Sequence, residues 1–246
     1  FVSWFNPATP FWFAAILAFL NFNSLLLIFP ETNKNIRHGL AIAWNKSVLN
    51  IWHALTHPQL SELFIVVFLF NAGFTFFTTF FAVFLINKFQ FTQGNIGNFF
   101  AYIGIWVAFT QIVLVRKLSG KFSEIQLVKL SLIGMGISIF LFFLPQVWWQ
   151  LLLVTPVLAI SNGITFANIT ALISKSVGPQ VQGEILGINS SVAALAMSIP
   201  PILSGVIAAD LGANTPIYIA GVVTLTGAAV FWLFYRPKKI QVEDVE

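Results

Sequence analysis

Within the stretch FNAGFTFFTTFF, Asn71, Thr75 and Thr78 stand at i, i+4 and i+7, so a helix places all three on one face. Within SNGITFANIT, Asn162, Thr165 and Asn168 run along a helix flank. Amides and hydroxyls in this pattern exchange hydrogen bonds, and no histidine or carboxylate stands beside them to activate a nucleophile. Both stretches are otherwise apolar, where an amide is costly unless it has a partner or faces water. Two arrangements meet that cost: a wet cavity in which the amides meet a solute, or hydrogen bonds between neighbouring helices. Tyr102 and Trp106, at i and i+4 with Gln111 beyond them, add aromatic surface and another amide. Such groups around an apolar pocket suit an amphiphilic organic molecule. Packing against lipid or a neighbouring helix is the alternative for Tyr102 and Trp106.

Other chemistries find little support. His53 and His57 are four apart in HALTH, but Ala54 stands where the zinc-protease motif needs Glu, so they form a solvated or interfacial pair. There is no cysteine, hence no disulfide, thiolate or thiolate metal site. A membrane enzyme acting on lipid needs a cluster of His, Asp or Glu near one membrane face. The three histidines share one loop without a carboxylate pair, which argues against an enzyme, a metal site or a bound cofactor. Asn45, Asn168 and Asn189 match the glycosylation pattern but fall in cytoplasmic or membrane positions.

The elements that carry these residues follow from composition. Of 246 residues 58% are hydrophobic and 8% charged, far below the roughly 25% charge of soluble domains. About 20 apolar residues cross a bilayer as a helix, and seven stretches qualify: 11–29, 63–86, 96–115, 125–144, 147–174, 183–209 and 216–235. Alternation with period 2 is missing, which argues against a barrel. The fold class is all-α integral membrane, with seven transmembrane helices.

Charge orients the chain. Lys34, Arg37 and Lys46 follow the first span; Arg116, Lys117, Lys121 and Lys129 lie around the turn after the third; Lys175 follows the fifth; Arg236, Lys238 and Lys239 follow the seventh. The opposite side holds only Lys88. By the positive-inside rule the N-terminus is outside and the C-terminal tail cytoplasmic. The net charge of +4 is therefore topological and gives no basis for a nucleic-acid partner. Residues 30–60 form a cytoplasmic linker in which Ala41, Trp44, Val48, Ile51, Trp52 and Leu55 recur at helical spacing, predicting an amphipathic helix at the membrane face. The organisation is one helix (1–29), the linker (30–60), six closely joined helices (61–235) and a tail (236–246). A chain opening on Phe1 with one helix set apart from six reads as incomplete.

Several residues mark helix ends and contacts. Gly97, Ala101, Gly104 and Ala108 permit close packing, as do Gly183, Gly187 and Ser191. Pro200 and Pro201 remove two donors and should bend or break the sixth span, as a rocking hinge or as a kink without a gating role. Glu62 and Glu184 lie at cytoplasmic helix starts and Asp210 at an outer end, so no proton carrier lies in the membrane core. Glu184 reads as an interfacial anchor that favours its helix dipole and could meet Lys175 or a basic loop.

The layout resembles the C-terminal part of a major facilitator superfamily transporter, and more narrowly the drug–proton antiporter branch that includes the tetracycline-efflux proteins. TPFWFAAILAFLNFNSLLLIFPETNK (9–34) resembles that branch's sixth helix with its Pro-Glu-Thr ending. GPQVQGEILGINSS (178–191) resembles the start of its eleventh, with Gln182, Gly183 and Gly187 in place. LSGKFSEIQLV (118–128) resembles the superfamily's cytoplasmic loop motif in its weaker second-half copy, keeping Leu118 but carrying Gly120, Lys121 and Ser123 where the motif has Asp, Arg and Gly.

The resemblance implies the C-terminal six-helix half of a major facilitator fold plus the last helix of the N-terminal half. It implies a multi-pass protein of the bacterial plasma membrane that works by alternating access in proton-coupled multidrug efflux. The second, third, fifth and sixth spans would line the cavity, and the fourth and seventh would be peripheral. Partners would be a small organic substrate, protons, the bilayer and the missing N-terminal half, which in that branch holds the proton relay. A sugar or metabolite carrier of the same superfamily is the alternative.

Overall fold

The computed structural model describes residues 9–28 and 58–236, and every regular element in it is helical. Seven helices are long and apolar enough to cross a membrane. They are α1 (Thr9–Ile28), α2 (Pro58–Phe89), α3 (Gln93–Ser119), α4 (Glu124–Leu141), α5 (Leu151–Lys175), α6 (Gln182–Leu211) and α7 (Thr215–Leu233). Helix is the form these sequences must take, because hydrocarbon offers backbone groups no other partner.

The chain falls into two compact units, Phe1–Trp44 and Asn45–Glu246. The first contains α1, where Asn23 turns its amide back to the Phe19 carbonyl at 2.7 Å. The second contains α2 to α7. The predicted amphipathic linker helix, the His53/His57 pair and the Pro-Glu-Thr sequence lie outside the described residues.

Within the six-helix unit, α2 packs on α6 and α7, α4 on α5 and α7, and α3 mainly on α5. Phenylalanine fills the joints. Phe77, Phe81, Phe84, Phe142 and Phe231 are fully buried, and Phe81 meets Phe142 edge-on with ring centroids 5.1 Å apart. Glycines let backbones close up where helices meet: a Cβ on Gly163 of α5 would come within 2.9 Å of the Thr110 methyl carbon of α3.

Burial is uneven. In their most apolar 18 residues, 56% of α2 and 50% of α5 are buried, against 11% of α3 and 17% of α6. These last two helices therefore turn most of their apolar surface out of the unit. The small-residue ridges follow: a side chain added at Gly97, Gly104, Gly183 or Gly187 would meet nothing within 4 Å. Those ridges permit close packing but are not packed against another described helix.

Local signals set the helix ends. Lys88, in the last turn of α2, donates to the Phe143 carbonyl at 2.6 Å, and Gln90 adopts φ 54 to leave the helix. Thr92 caps α3 by accepting from the Asn95 N–H, so Gln93 and Gly94 fall inside the helix rather than before it. Ser123 and Gln126 form a reciprocal capping box at α4. α4 ends at Leu141, short of the predicted 144, and α5 is entered through a tight turn at Trp148–Gln150.

Two expectations are corrected: a break at Pro200 and Pro201, and a pairing of Glu184 with Lys175. α6 runs unbroken from Gln182 to Leu211 through Pro200 and Pro201. Two successive prolines free the carbonyls of Ala196 and Met197 but leave the remaining hydrogen bonds to carry the helix. Glu184 does not meet Lys175, which pairs with Glu124 at the start of α4; Glu184 lies exposed in the first turn of α6.

Candidate functional site

The polar residues of α2 and α5 are held from within. Asn71 is buried and donates to the Val67 carbonyl at 2.8 Å; Thr75 donates to the Asn71 carbonyl at 2.8 Å, and Thr78 to the Thr75 carbonyl at 3.3 Å. Each bond reaches one turn back along α2 and occupies a donor without involving another helix. Asn168 does the same on α5, donating to the Ile164 carbonyl at 2.8 Å. Thr165 differs. Its hydroxyl donates across to Ser131 of α4 at 2.7 Å, and Ser131 donates onward to the Val128 carbonyl at 3.4 Å. Both side chains are buried.

Asn162 sits on the less covered flank of α5, half-buried and one turn from the exposed Phe166. Its amide has no hydrogen-bond partner among the described residues. Thr75 and Thr78 are half-buried on α2, whereas Asn71, Thr165 and Asn168 are buried inside the unit. The six polar candidates thus divide between a buried set with satisfied donors and a set nearer the surface.

On α3 the aromatic candidates form a ladder. Tyr102 and Trp106 meet edge-on at 6.3 Å, and Trp106 meets Phe109 the same way at 5.7 Å. The helix then loosens into a π-helical turn from Thr110 to Val115. Thr110 lies at its start, fully buried against Gly163, and donates to the Trp106 carbonyl at 2.7 Å. A threonine bonded to its own preceding turn bends a helix, and π turns recur where a helix is shaped for function. Gln111 is carried within this turn and is exposed, with no hydrogen-bond partner among the described residues.

Tyr102 is turned toward the start of α5. Its hydroxyl donates to the Leu152 carbonyl at 3.0 Å. Pro156 stands four residues after Leu152 and has no N–H to give it. The tyrosine supplies the missing donor.

No acid stands among these groups, so the arrangement can hold, orient and release a solute by hydrogen bonding and aromatic contact. Charge gathers at the ends of the helices instead, in Glu124 with Lys175 and in exposed Lys121 and Glu184.

The sequence model of the Major Facilitator Superfamily matches residues 1–199 and, again, 114–245. The chain belongs to the major facilitator superfamily. This superfamily chain is 27% identical over 241 residues to Multidrug resistance protein 2 of Bacillus subtilis (strain 168), covering 97% of the chain and 60% of that protein. It is 27% identical over 241 residues to Multidrug resistance protein 1 of the same strain, covering 98% and 60%. It is 24% identical over 222 residues to Quinolone resistance protein NorA of Staphylococcus aureus (strain MSSA476), covering 90% and 55%. The chain spans about 60% of the length of the first two relatives.

Two residues from the stretches that resemble family motifs have local work in this structure. Leu118 closes the turn between α3 and α4, its carbonyl accepting from the Lys121 and Phe122 N–H groups, each at 2.9 Å. Gln182 donates to the Ser174 carbonyl at 2.8 Å and ties the start of α6 to the end of α5. Sequence reasoning missed Ser131, Pro156 and Gly163. Pro156 carried a readable signal, since a proline within a membrane helix frees a carbonyl that needs a donor. Ser131 and Gly163 carried none.

Proposed function

We propose that the chain forms the C-terminal six-helix half, with the helix preceding it, of a secondary transporter that exports hydrophobic or amphiphilic organic compounds. The observation that supports this most is end-to-end similarity: 97% of the chain aligns with a protein named for multidrug resistance. Transport would proceed by alternating access, one six-helix half rocking against the other. The uncovered faces of α3 and α6, with open ridges at Gly97, Gly104, Gly183 and Gly187, are the surfaces that a second half would meet. The chain would sit in a bacterial plasma membrane with its C-terminus cytoplasmic, as its lysines and arginines suggest.

Trp106, Gln111 and Asn162 are the proposed solute contacts, because each is partly or fully uncovered and leaves its polar group available. Thr75, Thr78 and Tyr102 flank them. Asn71, Thr165 and Asn168 are proposed to hold the helices that carry the site. Export would draw on the proton gradient, with the titrating residues in the other half. The test is the full-length transporter in proteoliposomes under an imposed proton gradient. Gradient-dependent movement of amphiphilic dyes is the expected result. Movement of sugars or metabolites with no response to any amphiphile would replace this reading with that of a nutrient carrier.

A further inference from the structure

A cavity of about 460 Å³ opens where the end of α2, the first turns of α3 and the start of α5 meet. It is lined by Phe89, Phe91, Asn95, Asn98, Phe99, Tyr102, Trp148 and Leu152. This is the size of a small-molecule site, and it lies at the helix ends beside Lys88, far along the chain from the motif loops at 118–128 and 178–191. We propose that it is a separate binding site for a planar aromatic molecule that is uncharged or anionic and bears a hydrogen-bonding acceptor.

Three features set that chemistry. The walls are aromatic: Phe89 and Phe91 lie 6.1 Å apart and tilted, Phe91 meets Phe99 edge-on at 6.1 Å, and Phe99 lies 6.3 Å from Tyr102. Tilted and edge-on rings leave a ring-shaped guest the offset geometry that aromatic pairs favour. The polar edge comes from Asn95 and Asn98, both exposed, whose side-chain amides have no partner among the described residues. The Tyr102 proton is committed to Leu152, so the uncommitted donors in the cavity are these two amides and the Trp148 indole N–H. Because the indole only donates, N–H groups outnumber the amide oxygens, which favours a guest that accepts.

Charge decides the third feature. Lys88 lies over the Phe89 ring, 5.5 Å from its centroid, and is anchored to the Phe143 carbonyl. No Asp or Glu lines the cavity. Lys88 is exposed and stands next to the lining Phe89, so its charge disfavours a cationic guest, less so as salt screens it. With no carboxylate to offset Lys88, the cavity disfavours cations relative to neutral or anionic guests. Its use as a release-side subsite rests on the export reading and topology above; binding by the chain itself does not.

The absence of cysteine makes the test clean. Asn98→Cys places a single thiol in the cavity of the chain, which is then studied in lipid nanodiscs with dansyl amide as probe. At ten times its Kd the probe should slow alkylation by N-ethylmaleimide about tenfold, by occupancy alone. Ser119→Cys, exposed at the far end of the same helix and outside both proposed sites, should react at an unchanged rate. Dansyl cadaverine, which carries an amine, should protect Asn98→Cys less, and the added substitution Lys88→Gln should narrow that difference. In the unsubstituted chain, energy transfer from tryptophan to bound dansyl amide should fall in Trp148→Phe. Unprotected Asn98→Cys, equal protection at Ser119→Cys, or equal protection by n-decanol would each overturn the assignment. If the thiol variant misfolds, a Trp148→Phe protein with undiminished transfer overturns it alone. Binding without any transport by the full-length protein would sink the export reading and leave this site standing.

Discussion

The Tyr102 hydroxyl gives the Leu152 carbonyl the hydrogen bond that Pro156 cannot, at 3.0 Å across the α3–α5 contact. A proline that would leave a carbonyl bare in hydrocarbon is accommodated by a tyrosine fifty positions before that carbonyl in the chain. The bond also fixes the ring that forms one wall of the cavity. Tyr102→Phe should destabilise the chain by about 1 kcal/mol, the net worth of one such bond. In a Pro156→Ala background the helix supplies its own donor, so the same change should cost clearly less. A double-mutant cycle from unfolding in mixed micelles measures this, and equal costs in both backgrounds would mean that the tyrosine acts by packing alone.

The Thr165–Ser131 bond makes a contrasting prediction about α4 and α5. Thr165→Ala removes a buried interhelical donor and should cost about 0.6 to 1.7 kcal/mol. Gln111→Ala and Asn162→Ala, which lose no bond to the chain, should leave stability within about 0.5 kcal/mol. Chemical denaturation of all three variants side by side provides the comparison.

At Gly163 the issue is space. Its missing Cβ is what lets α5 approach the π-helical turn of α3, where the Thr110 methyl carbon would lie 2.9 Å from an added carbon. Gly163→Ala should destabilise by about 1 to 3 kcal/mol through overpacking. Gly187→Ala meets nothing within 4 Å and should be neutral in the isolated chain. Gly187→Leu in the full-length transporter should impair export if that ridge meets the other half. Thermal melts and vesicle transport separate the two glycines.

Lys175 and Glu124 tie the end of α5 to the start of α4, and Lys175 is 67% exposed. Screened by solvent, the pair should contribute at most about 1 kcal/mol. Glu124→Gln should therefore lower the unfolding midpoint only slightly, and molar salt should abolish the difference from the unsubstituted chain. A persistent difference at high salt would mean that Glu124 works as a helix-start group rather than as an ion-pair partner.

For transport, Gln111→Trp and Asn162→Trp should alter drug export by the full-length protein at normal expression. Dye efflux from everted vesicles reads this directly. Unchanged export in both would move these residues out of the solute path.

Much of this architecture is written in the order of the residues. Seven apolar stretches of membrane length dictate seven helices, because the bilayer permits no other backbone solution for them. The motifs around Leu118 and Gln182 resemble those of transporters, and with the helix layout that resemblance pointed to the superfamily. The start of α4 fell within one residue of its predicted place, whereas α3 begins at Gln93, ahead of the predicted 96, and the tight turn at Trp148–Gln150 was missed.

What the tertiary structure decided is which polar groups are spent and which remain available. Asn71 and Asn168 bond within their own helices, which their spacing leaves undetermined. Thr165 finds Ser131 across 34 residues, Tyr102 finds Leu152 across 50, and Lys175 finds Glu124 across 51. These helices are apolar on nearly every side, so the sequence carries little preference for how each is rotated or which neighbour it meets. That choice is made by ring packing and glycine contacts between helices. Only their outcome leaves Gln111 and Asn162 uncommitted and opens a cavity beside Asn98.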